Sequence, residues 1–274
     1  MPANNNRVSA LLQVKQRRPL SQQALGDLRH AILDDGIWQT SDGLSPDRVY
    51  VWSILLSAEP LATREYLQLV RRLASPSYSK IKNDAFRTLA TDPLFRRRVT
   101  ETALIRLLNA FVWRQVNQQS GLSYVQGMNV LAAPFLYASR SETQAFQLFS
   151  TFIEKHCPLY VNPTLTGVHH GLKLVDICLR CVEKKLYLHL KAKKLSAELY
   201  AFPHVLTFSA CTKPLPEVMV LWDFLLAYGL HLNILCIIAQ ILLRRDEVLK
   251  SDRYDRYTFS ANKAPCRSSA PFHH

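Results

Sequence analysis

No segment of this 274-residue chain sustains the apolar–polar alternation of period two that a half-buried strand requires. Its apolar residues recur at three- and four-residue spacing instead, which confines the chain to helices. Composition agrees, because Leu is abundant and only eight glycines occur, too few for a turn-rich β-sandwich. The first helix is expected between Ser21 as its cap and Gly36 as its stop, with Ala24, Leu25, Leu28, Ile32 and Leu33 on one face. A polar loop over 40–46 leads to the apolar segment from Arg48 to Leu56. Helices then follow over 61–73, ending before Ser75-Pro76, and over 100–118, stopped by Ser120-Gly121. The second of these turns Leu104, Leu107, Leu108, Phe111 and Val112 inward. Further segments cover 130–137 (interrupted at Pro134), 143–154, 165–182, 186–190 and 198–208. The sequence contains no internal repeat and no heptad run long enough for a coiled coil.

A hydrophobic content of 48% is ample for a sizeable core and argues against global disorder. The length admits one large or two small domains. The apolar stretch from Val218 to Leu243 invites a membrane reading, but Asp223 lies near its start and Gly229, His231 and Asn233 divide it. A span needs about 20 consecutive, predominantly apolar residues. Two buried helices, one ending at Gly229 and the next starting around Asn233, fit better. The expectation is a soluble chain without a transmembrane segment.

The net charge of +13 is spread over Lys15/Arg17/Arg18, Arg71/Arg72, Arg96/Arg97/Arg98, Lys184/Lys185, Lys191/Lys193/Lys194 and Arg244/Arg245. A nucleic-acid binder concentrates such charge on one face and interleaves stacking aromatics. Dispersed clusters favour solvated helix surfaces and attraction to an acidic partner or membrane surface, with nucleic acid the minority reading. Six cysteines occupy irregular, mostly apolar settings, and residues 1–20 lack the apolar core of a signal peptide. Reduced thiols in the cytosol or nucleus follow. Cys178 and Cys181 form a lone C-x-x-C with only His169 and His170 upstream, so buried core thiols are expected rather than zinc.

No phosphate-binding loop, no dinucleotide fingerprint, no nucleophile elbow and no H-E-x-x-H occur. Hydrolase chemistry therefore has neither nucleophile nor metal here. Two strings carry what chemistry there is: 81–88, reading IKNDAFRT, and 123–129, reading SYVQGMN. Asp84 precedes Arg87 by one helical turn and can hold its guanidinium, with Asp92-Pro93 downstream expected to end the helix. A surface ion pair and a functional arginine are both open. Gln126 falls on a loop between Gly121 and Gly127, at the start of a helix whose amide groups would favour a phosphate. A structural loop and a site are again both open. Together an arginine and a glutamine are what GTP hydrolysis needs, the first to neutralise charge on the phosphoryl group and the second to orient water.

The two strings resemble the signature motifs of the TBC domain, an all-α fold of GTPase-activating proteins. I-x-x-D-x-x-R-T is matched at Ile81, Asp84, Arg87 and Thr88, and Y-x-Q-G at Tyr124, Gln126 and Gly127. Arg48, Trp52, Leu55 and Leu56 match R-x-x-x-W with its paired leucines, and Leu221-Trp222-Asp223 resembles the later L-W-D string. The likeness covers roughly 44–250. Within the family, segments 120–137, 154–176, 195–207 and 215–235 resemble the fungal mitotic-exit and septation branch of the spindle checkpoint.

The resemblance implies a Rab-like small GTPase as target, with GTP and magnesium carried by that GTPase and no cofactor of the chain's own. It also implies a non-catalytic partner subunit and a cytoplasmic, cytoskeletal setting at the spindle pole body. Arg87 and Gln126 would be fingers supplied in trans. Asp84 and Thr88 would support the first, Tyr124 and Gly127 would shape the glutamine loop, and Arg48 and Trp52 would be structural. On this basis the chain divides into an N-terminal helical extension (1–43), the TBC domain (44–250) and an atypical tail (251–274). The tail is polar and lacks apolar periodicity, so the domain is expected to be truncated at its C-terminal helices. Disorder is expected over 252–274, with part of the apolar cover of 218–249 missing. The competing functions are a scaffold that binds a GTPase or partner without accelerating hydrolysis, and a nucleic-acid binder.

Overall fold

The structure, a computed structural model, describes residues 6–13 and 21–250, and among these it is helical with no strand. The expected disorder of 252–274 concerns residues outside those described. In chain order the helices are α1 (Arg7–Gln13), α2 (Gln22–Asp34), α3 (Arg48–Leu55), α4 (Thr63–Val70), α5 (Tyr78–Arg87), α6 (Pro93–Arg98), α7 (Glu101–Gln118) and α8 (Met128–Ala138). They continue with α9 (Glu142–Thr151), α10 (Thr166–Val182), α11 (Lys184–Ala192), α12 (Ala197–Tyr200), α13 (Phe202–Leu206), α14 (Leu215–Tyr228), α15 (Asn233–Leu243) and α16 (Arg245–Lys250). No described helix is long and apolar enough to cross a membrane.

Local chemistry sets the helix ends. The hydroxyls of Ser21, Thr100 and Ser141 accept from the backbone N–H groups of Ala24, Ala103 and Gln144, satisfying otherwise orphaned donors. Gly36 follows α2 with a φ of 70°, a left-handed conformation that costs glycine little. Several sequence expectations need correction. Leu33 is 55% exposed, because it lies 100° around α2 from Ile32 while Ala31 takes the inward place. Pro134 does not interrupt α8, which runs through it to Ala138. The segment 198–208 splits at Ala201 into α12 and α13, Pro203 being tolerated in the first turn of the second. The segment 143–154 is α9 followed by a π-helical turn, Phe152–His156. The thiols are not all core: Cys157 is buried, Cys178, Cys211 and Cys236 are half-buried, and Cys181 is exposed.

Three apolar clusters organise the packing. The largest joins α3 to α9 with α14, around an aromatic centre of Trp52, Phe135, Phe152 and Trp222. Phe152 stacks on Trp222 at 5.2 Å, and Phe135 meets Trp52 edge-on at 5.6 Å. A second cluster joins α10 to α13 with α15 and α16. In the third, Val8, Leu28, Ala31 and Ile32 of the N-terminal helices pack with Val51, Leu55 and Ala227. The N-terminal extension thus lies against α3 and α14.

At the heart of the large cluster sits a buried ion pair. Arg48 donates from Nε and Nη2 to the Asp223 carboxylate at 2.8–3.2 Å, and further to the Gly43 carbonyl and to Oε1 of Gln39. Trp52 Nε1 donates to Asp223 Oδ1 at 2.8 Å. Burial pushes the Asp223 carboxyl above its ordinary range, and Arg48 and Trp52 oppose that rise. The paired motifs R-x-x-x-W and L-W-D are therefore the two sides of one contact. Asp223→Ala should lower stability by about 3–5 kcal/mol, since it strands a buried guanidinium. The double change Arg48→Met with Asp223→Leu should cost much less, as read from urea denaturation midpoints.

His204 on α13 is buried, and desolvation lowers its pKa from 6.5 to about 4. The unfolded chain takes up this proton first, so stability is retained above pH 6.5 and lost as pH falls towards 4. The loss is about 3 kcal/mol at about 1.4 kcal/mol per unit. His204→Gln should flatten the dependence of the urea midpoint on pH between 7 and 4.5.

Candidate functional site

α5 buries Ile81, Asp84 and Ala85 against the large cluster, which turns Lys82, Asn83, Phe86 and Arg87 to solvent. The helix ends at Arg87. Asp92-Pro93 does not end it, as the sequence suggested, but opens α6: Asp92 Oδ1 accepts from the Leu94 and Phe95 amides at 3.0 Å. The α5 terminus is made by Thr88, whose hydroxyl donates to the Asp84 carbonyl at 2.8 Å, and by Leu89, which turns the chain at a φ of 43°. Arg87 is thus the last helical residue, its side chain 60% exposed and its Nη2 donating to Asp84 Oδ1 at 2.5 Å.

Gln126 lies on the connection between α7 and α8. Gly127 caps α8 at a φ of 108°, and a Cβ there would come within 2.8 Å of the Leu206 side chain on α13. Two reasons therefore require glycine, backbone conformation and space. Gln126 is exposed, and among the described residues none engages its carboxamide. The Gly127 amide, by contrast, is committed, donating to Asn129 Oδ1 at 3.0 Å. The expectation that helix-start amides at this loop are free to meet a phosphate is corrected to that extent.

The two strings meet through a buried polar network. The Asp84 carboxylate accepts from Arg87 through Oδ1 and from the Tyr124 hydroxyl through Oδ2 at 2.7 Å. Burial, then the hydrogen bond to Asp84 and its charge, push the Tyr124 phenol up, so it stays a donor. Asn129 has no role readable from the motif, yet it makes as many connections as Asp84. Its Nδ2 donates to Thr88 Oγ1 at 2.8 Å and to the Asp84 carbonyl at 3.4 Å, while its Oδ1 takes the Gly127 amide and lies 3.3 Å from the Tyr124 hydroxyl. Its place as the second residue of α8, two positions after the capping glycine, was the only available signal. Ser77 and Ser123 hydroxyls, 3.2 Å apart, tie the same elements again. Arg48 and Trp52 take no part here, being fixed on Asp223. Among the described residues no group of three or more His, Cys, Asp or Glu side chains could hold a metal.

A Rab-GTPase-TBC domain model matches residues 47–250. The chain belongs to the TBC family. Members of this family are activators of small GTPases, and all site residues above fall within the matched span. The chain is 48% identical over 227 residues to cell division control protein 16 of Schizosaccharomyces pombe, covering 83% of this chain and 74% of that protein. It is 44% identical over 246 residues to mitotic check point protein BUB2 of Saccharomyces cerevisiae, covering 85% and 80%. In fold it resembles the crystal structure of the Ypt/Rab-GAP domain of Gyp1p, with a TM-score of 0.72 at 19% identity over 92% of this chain and 89% of that one. A flagellar RabGAP TBC domain from Chlamydomonas gives 0.71 at 18% identity, covering 91% and 81%.

In this TBC domain Asn129 joins both motif strings, so its truncation should loosen them together. Asn129→Ala should cost about 1–3 kcal/mol in urea denaturation. It should also speed amide exchange at Gly127, whose donor loses its buried acceptor.

Proposed function

We propose that the chain accelerates GTP hydrolysis by a Rab-like small GTPase, inserting Arg87 towards the transferring phosphoryl group and using Gln126 to orient water. It does so in trans, with GTP and magnesium on the GTPase and no turnover of its own. The observation that carries this is the shared network: Asp84, Tyr124 and Asn129 are buried and committed, while the two side chains they flank, Arg87 and Gln126, are exposed. Such a division suits groups that act outside the molecule, since pre-organised charge at the reacting centre needs a rigid support. The names of the two fungal relatives, cell division control and mitotic check point, support a role in mitotic exit and septation. A non-catalytic partner subunit and a location at the spindle pole body complete the proposal.

An arginine finger contributes about 10³–10⁵ in rate, equivalent to about 4–7 kcal/mol of barrier. In single-turnover hydrolysis at saturating activator, Arg87→Ala should abolish most of the stimulation, and Gln126→Ala should reduce it separately. Retention of the GTPase on the immobilised chain should persist in both. Unchanged stimulation in Arg87→Ala would refute the arginine assignment. Binding by the unaltered chain without any acceleration would identify a scaffold instead.

A further inference from the structure

Beside Arg87 stands an aromatic residue that the fold does not use. Phe86 is 70% exposed, although phenylalanine is ordinarily a core residue and this chain buries Phe95, Phe111, Phe135, Phe146 and Phe149 almost completely. Its exposure follows from the helix: with Ile81, Asp84 and Ala85 inward, the 3.6-residue period sends Ser79, Lys82, Asn83 and Phe86 outward together. The charge around it has one sign. Lys80, Lys82 and Arg87 are exposed, Asp84 is the sole acid of α5 and is buried, and the loop 119–127 contains no acidic residue.

We propose that Phe86 is a docking anchor for the GTPase, filling an apolar pocket bordered by carboxylates, and that it helps select which GTPase is accepted. This rests on the reading of Arg87 as the finger. A specific interface covers about 800 Å² on each side, a disc of radius about 16 Å. A partner that receives Arg87 must therefore cover its immediate neighbour. Aromatic side chains in desolvated pockets dominate interface energetics, with charged neighbours at the rim. The basic rim calls for an acidic counterpart and speeds encounter at low salt. Phe86 touches no reacting atom, so its contact is made equally before and during hydrolysis. It therefore acts on affinity and not on the rate at saturation.

The test is a titration of the full chain against GTP-loaded Rab-like GTPase under single-turnover conditions, with retention of the same GTPase on the immobilised chain measured alongside. Phe86→Ala should raise the half-saturating concentration and the dissociation constant about 30-fold, the lower bound of an interface hot spot. The plateau rate and the thermal midpoint should stay at the unaltered values, and Phe86→Leu should recover part of the affinity. Lys82→Gln should weaken binding at low salt and flatten its salt dependence. A Phe86→Ala chain whose half-saturation and dissociation constant lie within about twofold of the unaltered chain overturns the anchor. So does a fall in plateau rate or thermal midpoint with affinity unchanged. Arg87→Ala is read separately: an unchanged plateau there sinks the finger while the binding measurement still decides Phe86.

Discussion

Asp84 is a buried anion, and a buried anion persists in a fold only when its lone pairs are taken up. Its two carboxylate oxygens are met by Arg87 from its own helix and by Tyr124 from the loop after α7, and its carbonyl by Thr88 and Asn129. The need to compensate one charge thus draws together two segments about 40 residues apart. Neither segment can shift without exposing a donor or acceptor to an apolar surround. The exposed ends of Arg87 and Gln126 inherit their placement from this arrangement, although neither is itself clamped on the outer side.

The same physics recurs deeper in the molecule. Asp223 on α14 is compensated by Arg48 and Trp52 on α3, across 175 and 171 positions of sequence. Apolar packing alone would allow α14 to slide against α3, since Trp52, Phe135 and Trp222 offer broad, interchangeable faces. A bidentate guanidinium–carboxylate contact with an indole donor fixes one register. Asp92 is a third instance, capping α6 with one oxygen and accepting the Leu215 amide at the start of α14 with the other. Three buried carboxylates therefore set the angular relations among α3, α5, α6, α8 and α14.

Much of this was legible in the chain. The helix class, the break of 218–243 at Gly229 and Asn233, the Thr100-to-Gln118 helix and its inward residues all follow from periodicity and stop signals, because those signals are local. The family motifs supplied Arg87 and Gln126 as site candidates. What the sequence could not supply was tertiary. Asp92-Pro93 reads equally well as an end or a beginning. Leu33 is apolar but falls off the buried arc. Pro134 sits in a helix that neighbours hold together. Asn129 looks like any polar residue after a turn, and its role exists only because Thr88 and Asp84 arrive beside it from 41 and 45 positions earlier.

Gly127 and Leu206 carry a wider consequence. The glutamine loop belongs to the first apolar cluster, but the surface it rests on is α13, part of the second. Repacking that second half, through Val205, Gly171 or Ile234, moves the floor beneath Gln126 without touching Arg87. The two exposed candidate side chains therefore rest on different supports. Both share the Asp84 network, but only the glutamine loop also rests on a separate half of the molecule. Substitutions in α10, α13 or α15 then act at a distance on the Gln126 loop, while the contact between Asp84 and Arg87 lies outside their reach.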